Sequence, residues 1–190
     1  MADKPEAKIG GWQEKSRKEV YSNPWITVTH SEVITPAGTD GIYGLVHFHN
    51  AAVGVVAIDD EGYTWLVRQS RYPLQEFTWE IPEGGSPKGE DPLDTAKREL
   101  KEEVGLTATD WQPLMRMHLS NSVTNEEGFL FVARGITVGE TALEDSEDIT
   151  SIRIPLKEAI QKVLDGEITD SLSVAALLKI ALLEKQELNN

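Results

Sequence analysis

Cysteine is absent from the 190 residues. That excludes disulfides and thiolate catalysis. No apolar run is long enough to span a bilayer, and the opening stretch Met1–Lys8 is polar, without the apolar core of a signal peptide. These features lead us to expect a cytoplasmic protein with no membrane contact. Positive charge is scarce: 18 Lys and Arg face 32 Asp and Glu, for a formal net charge of -14. A basic face of the kind that binds nucleic acid is therefore not expected. The four histidines lack zinc-like spacing, and His47 and His49, on one face of one strand, read as structural. What remains is 39% hydrophobic, enough to bury a full core in one domain or in one plus an appendage.

Patterning divides the chain into a tail at residues 1–10, a β-rich segment at 11–50 and a main domain at 51–190. Residues 25–33 and 42–49 read as strands around a Pro/Gly loop. The apolar run from Ala51 to Ile58 reads as a buried central strand, with Tyr63 to Arg68 folding back on it as a hairpin. Further strands are expected at residues 77–82, 111–119, 129–134 and 149–154. Helices follow, one from Pro155 to about Asp165 and one from Ser171 to Leu188. In the last, Leu172, Ala175, Ala176, Leu178 and Leu182 read as the core face. Strands mixed with helices make the class α/β or α+β.

One stretch organises the rest. A loop with Gly84, Gly85 and Gly89 leads to Asp91 in an N-cap slot, Pro92 at the first helical position and Asp94 in the first turn. Ala96, Leu100 and Val104 recur every fourth residue, and Gly105 supplies the stop. Glu99, Glu102 and Glu103 share one side of this helix, where like charges repel by about a few tenths of a kcal/mol. Two readings remain: a solvated acidic face partly offset by Lys97, Arg98 and Lys101, or a site for Mg²⁺ or Mn²⁺, which take oxygen ligands.

Gly84, Glu90, Arg98, Glu99, Leu100, Glu102, Glu103, Gly105 and Leu106 occupy every fixed position of a Nudix box, and the chain resembles that superfamily. Val20–Ile26, Leu66–Tyr72, Trp79–Pro82 and Ser146–Ile149 with Ile154–Leu156 extend the resemblance to its ADP-ribose pyrophosphatase and nucleoside diphosphate sugar hydrolase branch. The resemblance implies an α/β/α Nudix sandwich with a mixed sheet, preceded by a small antiparallel β-subdomain exchanged across a homodimer. It implies hydrolysis of a nucleotide-sugar pyrophosphate to a nucleoside monophosphate and a sugar phosphate. ADP-ribose and GDP-mannose are both candidates. ADP-ribose-specific members carry a proline shortly past the box, and Ser120–Glu126 has none, which leaves a broader sugar range open. Dinucleotides or nucleoside triphosphates are the alternative substrates, and a non-catalytic ADP-ribose sensor is a further one.

By the same resemblance, Glu99 and Glu103 are the principal metal ligands, with Glu102 and the backbone carbonyl of Glu83 completing a site for two or three ions. Arg98 orients the glutamates, while Glu90 and Gly84 support them. The general base is Glu147, on an acidic loop after the box, or Glu102. Substrate contacts fall to Arg71 on the diphosphate, Glu80 on the sugar or nucleoside, Glu126 on the terminal sugar and Trp25 against the base. Arg68 and Arg116 are alternatives for the phosphate.

Overall fold

The computed structural model describes residues 10–141 and 148–187. Its contacts divide the chain into two units. One comprises the residues up to Asn50 together with His118–Glu126, and the other comprises Ala51–Met117 and the residues from Glu127 onward.

The first unit carries β1 (Gln13–Ser22), β2 (Ile26–Ile34) and β3 (Asp40–Phe48) in an antiparallel sheet of that order. Sequence patterning anticipates β2 and β3 but not β1, whose run of alternating charges hides its extended form. All ten residues of β1 are exposed. At the first turn, Asn23 Oδ1 accepts from the backbone N–H groups of Trp25 and Ile26, an Asx turn that needs no glycine. His47 and His49 each bond a threonine hydroxyl of β2, Thr29 and Thr27 respectively, which is a structural role.

The second unit begins with β4 (Ala51–Ala57), β5 (Tyr63–Arg71), β6 (Glu76–Glu80) and β7 (Glu83–Ser86), followed by α1 (Pro92–Val104). Next come β8 (Leu106–His118), β9 (Glu127–Val138), β10 (Thr150–Pro155), α2 (Leu156–Leu164) and α3 (Ser171–Glu187). Two sheets result, ordered β10-β5-β6 and β7-β4-β9-β8. The second is mixed, because β4 runs antiparallel to β7 and parallel to β9.

This corrects the expected β4–β5 hairpin. Both edges of β4 are taken by β7 and β9, so β5 pairs with β10 and β6 instead. Only an isolated bridge, Ile58 to Thr64, remains of the hairpin. The glycine loop also starts as a strand, β7.

Val53, Val55 and Ala57 on one face of β4 pack with Phe131 and Ala133 of β9 against Ala96, Leu100 and Val104 of α1. The alternate residues Val56, Leu130 and Val132 are buried too, on the side where α3 packs against β4 and β9. The α3 stripe that is buried runs Leu172, Ser173, Ala176, Leu177 and Ile180, whereas Leu182 is exposed. That is a phase shift from the expected face, and it brings a serine into the interior.

Candidate active site

Local chemistry sets α1 where the sequence reads it. Asp91 is the N-cap and its side chain accepts from Leu93 N–H. Pro92 is at N1, and Gly105 ends the helix at φ 69°, in the left-handed region that glycine favours. Against Gly105 lies the backbone of Gly139, Glu140 and Thr141, and Gly139 N–H donates to Gly105 O at 2.7 Å. The segment leading into the acidic loop is thereby fixed at the C-terminus of α1. Glu147, the expected base on that loop, lies outside the described residues.

On α1 the carboxylates of Glu99 and Glu103 are buried, at 7% and 3% exposure. Burying two acids one turn apart is unfavourable unless cationic or N–H partners compensate. Arg98 Nη1 stands 2.8 Å from both Glu99 Oε1 and Glu102 Oε2, and its Nη2 donates to Gly85 O. Burial works against the Arg98 charge, but Glu99 and Glu102 outweigh it and raise its pKa. Glu90 is at the margin, 4.0 Å from Arg98 Nε. Glu83 N–H donates to Glu103 Oε2 at 3.0 Å. Gly84 makes this approach possible: a Cβ there would stand 2.2 Å from the Glu99 carboxyl.

The donors fit a hard divalent cation. They are oxygens on one helix face, beside a strand backbone held close by a glycine. Among the described residues no three acidic or histidine side chains are already gathered around one point. Instead Glu99 and Glu102 close on Arg98, and Glu103 closes on the Glu83 amide.

Glu83 joins this helix face to a second cluster. Its Oε1 lies 2.5 Å from Arg71 Nη2. Arg71 also donates from Nε and Nη2 to Glu80. Gln69, Arg71, Thr78 and Glu80 share one face of the β5–β6 hairpin, as the register Gln69–Thr78 and Val67–Glu80 dictates. Burial opposes the Arg71 charge, yet Glu80, Glu83 and Asp170 raise its pKa well above the ordinary value. The Glu83 carboxyl is pushed up in turn, by burial first and then by Asp170 and Glu80. A cavity of about 240 Å³ opens here, lined by Arg71, Leu74, Thr78, Glu80, Thr169 and Asp170 among others. Behind it, Ser173 Oγ donates to Asp170 Oδ2 and accepts from Ile81 N–H, both at 2.9 Å.

Glu83, Gly84, Arg98, Glu99, Glu102, Glu103, Arg71 and Glu80 therefore meet within the second unit. Arg68 does not join them. It projects from the opposite hairpin face, with its guanidinium 4.7 Å from the centre of the Phe77 ring. Arg116 is an exposed partner of Glu127. Trp25 and Glu126 belong to the first unit. Trp25 is 67% exposed there, and burial raises the Glu126 pKa. Sequence reading missed Gln69, Thr78, Asp170 and Ser173. The alternation of polar residues at 69 and 71, and at 78 and 80, is a usable signal for the first two.

Comparison with known proteins bears on the family and the fold. The NUDIX domain model matches residues 48–175, and a model described as the nucleoside diphosphate sugar hydrolase N-terminal domain matches 12–46. A methanol dehydrogenase activator from Bacillus methanolicus is 34% identical, over 91% of this chain and 95% of that protein. An ADP-ribose pyrophosphatase from Bacillus subtilis (strain 168) is 32% identical, over 89% and 92%. One from Mycobacterium tuberculosis is 38% identical, over 70% and 65%. A crystal structure of an ADP compounds hydrolase superposes with a TM-score of 0.83, covering 95% of this chain and 98% of that one. At 22% identity it speaks for the fold alone. With a family model spanning most of the chain and the box glutamates set together on α1, the protein belongs to the Nudix hydrolase family.

Proposed function

We propose that the protein hydrolyses the pyrophosphate bond of a nucleoside diphosphate sugar, with ADP-ribose or GDP-mannose as representative substrates. The observation that carries this reading is Glu83. Its backbone N–H meets the acidic face of α1 and its side chain meets Arg71, so an anion receptor stands beside a cation site. Cleavage of a diphosphate asks for that pairing. The match of residues 12–46 to a nucleoside diphosphate sugar hydrolase domain, and the pyrophosphatase relatives, support the substrate class.

In this reading Glu99, Glu103, Glu102 and the Glu83 carbonyl would hold Mg²⁺ or Mn²⁺, two to three ions with substrate, which would supply charge to offset the diphosphate and to polarise water. Arg98 offsets the repulsion between Glu99 and Glu102 and orients both, with Glu90 and Gly84 as supports. Arg71 binds a diphosphate oxygen through Nη1, which bonds no acceptor among the described residues. A water oxygen attacks phosphorus, Glu147 or Glu102 takes its proton, and the bridging P–O bond breaks toward the second phosphate. Trp25 and Glu126 serve the base and the terminal sugar. No helix among the described residues is long and apolar enough to cross a membrane, and we place the protein in the cytoplasm as a homodimer.

The test is incubation with Mg²⁺ or Mn²⁺ and a panel of nucleotide sugars, dinucleotides and nucleoside triphosphates, with products identified by mass. Monophosphate plus sugar phosphate is expected. Cleavage of triphosphates alone would overturn the substrate class, and tight ADP-ribose binding without turnover would make the protein a sensor. Glu103→Gln should lower kcat by about 10²-fold or more with the fold intact. Full activity in that variant would remove Glu103 from the ligand set.

A further inference from the structure

Glu80 lines the cavity beside Arg71, yet its geometry is unsuited to touching a substrate. A carboxylate offers about four lone-pair directions. Here four donors fill them. Oε1 accepts from Arg71 Nε at 2.9 Å and from Thr78 Oγ1 at 2.5 Å, and Oε2 accepts from Arg71 Nη2 at 2.5 Å and Gln69 Nε2 at 3.0 Å. The residue is 1% exposed. A sugar hydroxyl reaching Glu80 would have to displace one of these bonds inside a buried site, where losing a partner is costly.

What the cluster fixes is the guanidinium. The two bonds from Arg71 to Glu80 form a planar fork, and Glu83 takes the second proton of Nη2. Three of the five N–H donors are then committed to Glu80 and Glu83, and the two on Nη1 bond no acceptor among the described residues. Thr78 and Gln69 bond the oxygens of Glu80 and so hold the carboxylate square to the fork. The next residue is fixed too, since Ile81 N–H donates to buried Ser173.

We propose that Glu80 is a positioning residue: with Thr78 and Gln69 it aims the Nη1 edge of Arg71 at a diphosphate oxygen and makes no contact with the sugar or the nucleoside. This rests on the reading of Arg71 as the diphosphate receptor. It replaces the sugar-binding role that the sequence suggests for Glu80. A group that acts only through Arg71 affects every diphosphate alike, and affects none once Arg71 is gone.

The experiment is a double-mutant cycle on kcat/KM with ADP-ribose and GDP-mannose in saturating Mg²⁺, with melting temperature followed in parallel. Arg71→Ala should lower kcat/KM by about 10²-fold. Glu80→Gln should lower it by about tenfold or more in the native background, by the same factor for both sugars, and leave Arg71→Ala no worse. Thr78→Val, which removes one donor with little change of shape, should lower it by about threefold with the same dependence on Arg71. It keeps the test open if Glu80→Gln does not fold. Additive losses in the double variants, or a loss confined to one sugar, would overturn the positioning role while leaving Arg71 as the receptor. No effect of Glu80→Gln and Thr78→Val beside a large effect of Arg71→Ala would overturn it as well. An unimpaired Arg71→Ala would remove the receptor itself and the proposal with it.

Discussion

Gly84 shows how little a residue needs to contribute directly for a site to depend on it. Nothing in its backbone demands glycine, since its φ lies outside the left-handed region. The space beside it is the requirement. A Cβ would overlap the Glu99 carboxyl at 2.2 Å, and that carboxyl is the far end of a flexible side chain. Gly84→Ala is therefore tolerable for the fold and damaging for the site. Glu99 can swing away, but only by leaving Arg98 and the helix face it shares with Glu103. We expect kcat/KM to fall by about 10²-fold, with the apparent Mg²⁺ requirement raised and stability changed by less than about 2 kcal/mol. Urea unfolding and a Mg²⁺ titration of activity check the two halves. Unchanged activity would show that Glu99 does its work from another rotamer.

At the scale of elements, α1 was legible because everything that starts, stops and faces it is local: Asp91, Pro92, Gly105 and the fourfold spacing of Ala96, Leu100 and Val104. Their meaning needs no partner from elsewhere. The β5–β6 hairpin was half legible. Tyr63 to Arg68 is apolar enough to read as a strand, but Gln69 and Arg71 are polar because they face a site, and the pattern therefore stops three residues short of the end of β5. The link from α3 was not legible at all. Ser173 and Ile81 are 92 residues apart, and nothing near Ser173 distinguishes a buried bridging serine from one on a solvated turn. Its burial follows from the phase of the α3 stripe, which only packing decides. Ser173→Ala leaves the Ile81 N–H without its acceptor in the interior and takes the hydroxyl donor from Asp170, whose bond from the backbone N–H of residue 173 remains. Removing the hydroxyl should destabilise the protein by about 1–3 kcal/mol, read from urea unfolding. A change within error would mean that Ile81 finds another acceptor.

For the molecule as a whole, the first unit poses a question of association. In β1, an edge strand of the three-stranded sheet, every residue is exposed. Edge strands are commonly protected by charge, and Glu14, Lys15, Arg17, Lys18 and Glu19 provide that along most of its length. The end of the strand is different. Val20 and Tyr21 are 54% and 56% exposed, Trp25 at the turn 67%, and Ile42 on β3 also 67%. Isolated apolar side chains on a surface are ordinary, but four in one three-stranded sheet exceed what a free edge gains from them. Aromatic anchors of this kind carry disproportionate binding energy at interfaces. We therefore expect a homodimer in solution, sedimenting at about twice the 21.1 kDa of one chain, with the surface of the first unit at its interface. Replacing Val20 and Tyr21 together by lysine should weaken dimerisation by about tenfold or more, seen as monomer appearing on dilution, with the melting profile at high concentration little altered. A protein that sediments as a monomer at all concentrations would remove the dimer from the reading and leave these four side chains without a partner of their own kind. A dimer indifferent to the two lysines would keep the assembly and move its interface to another surface.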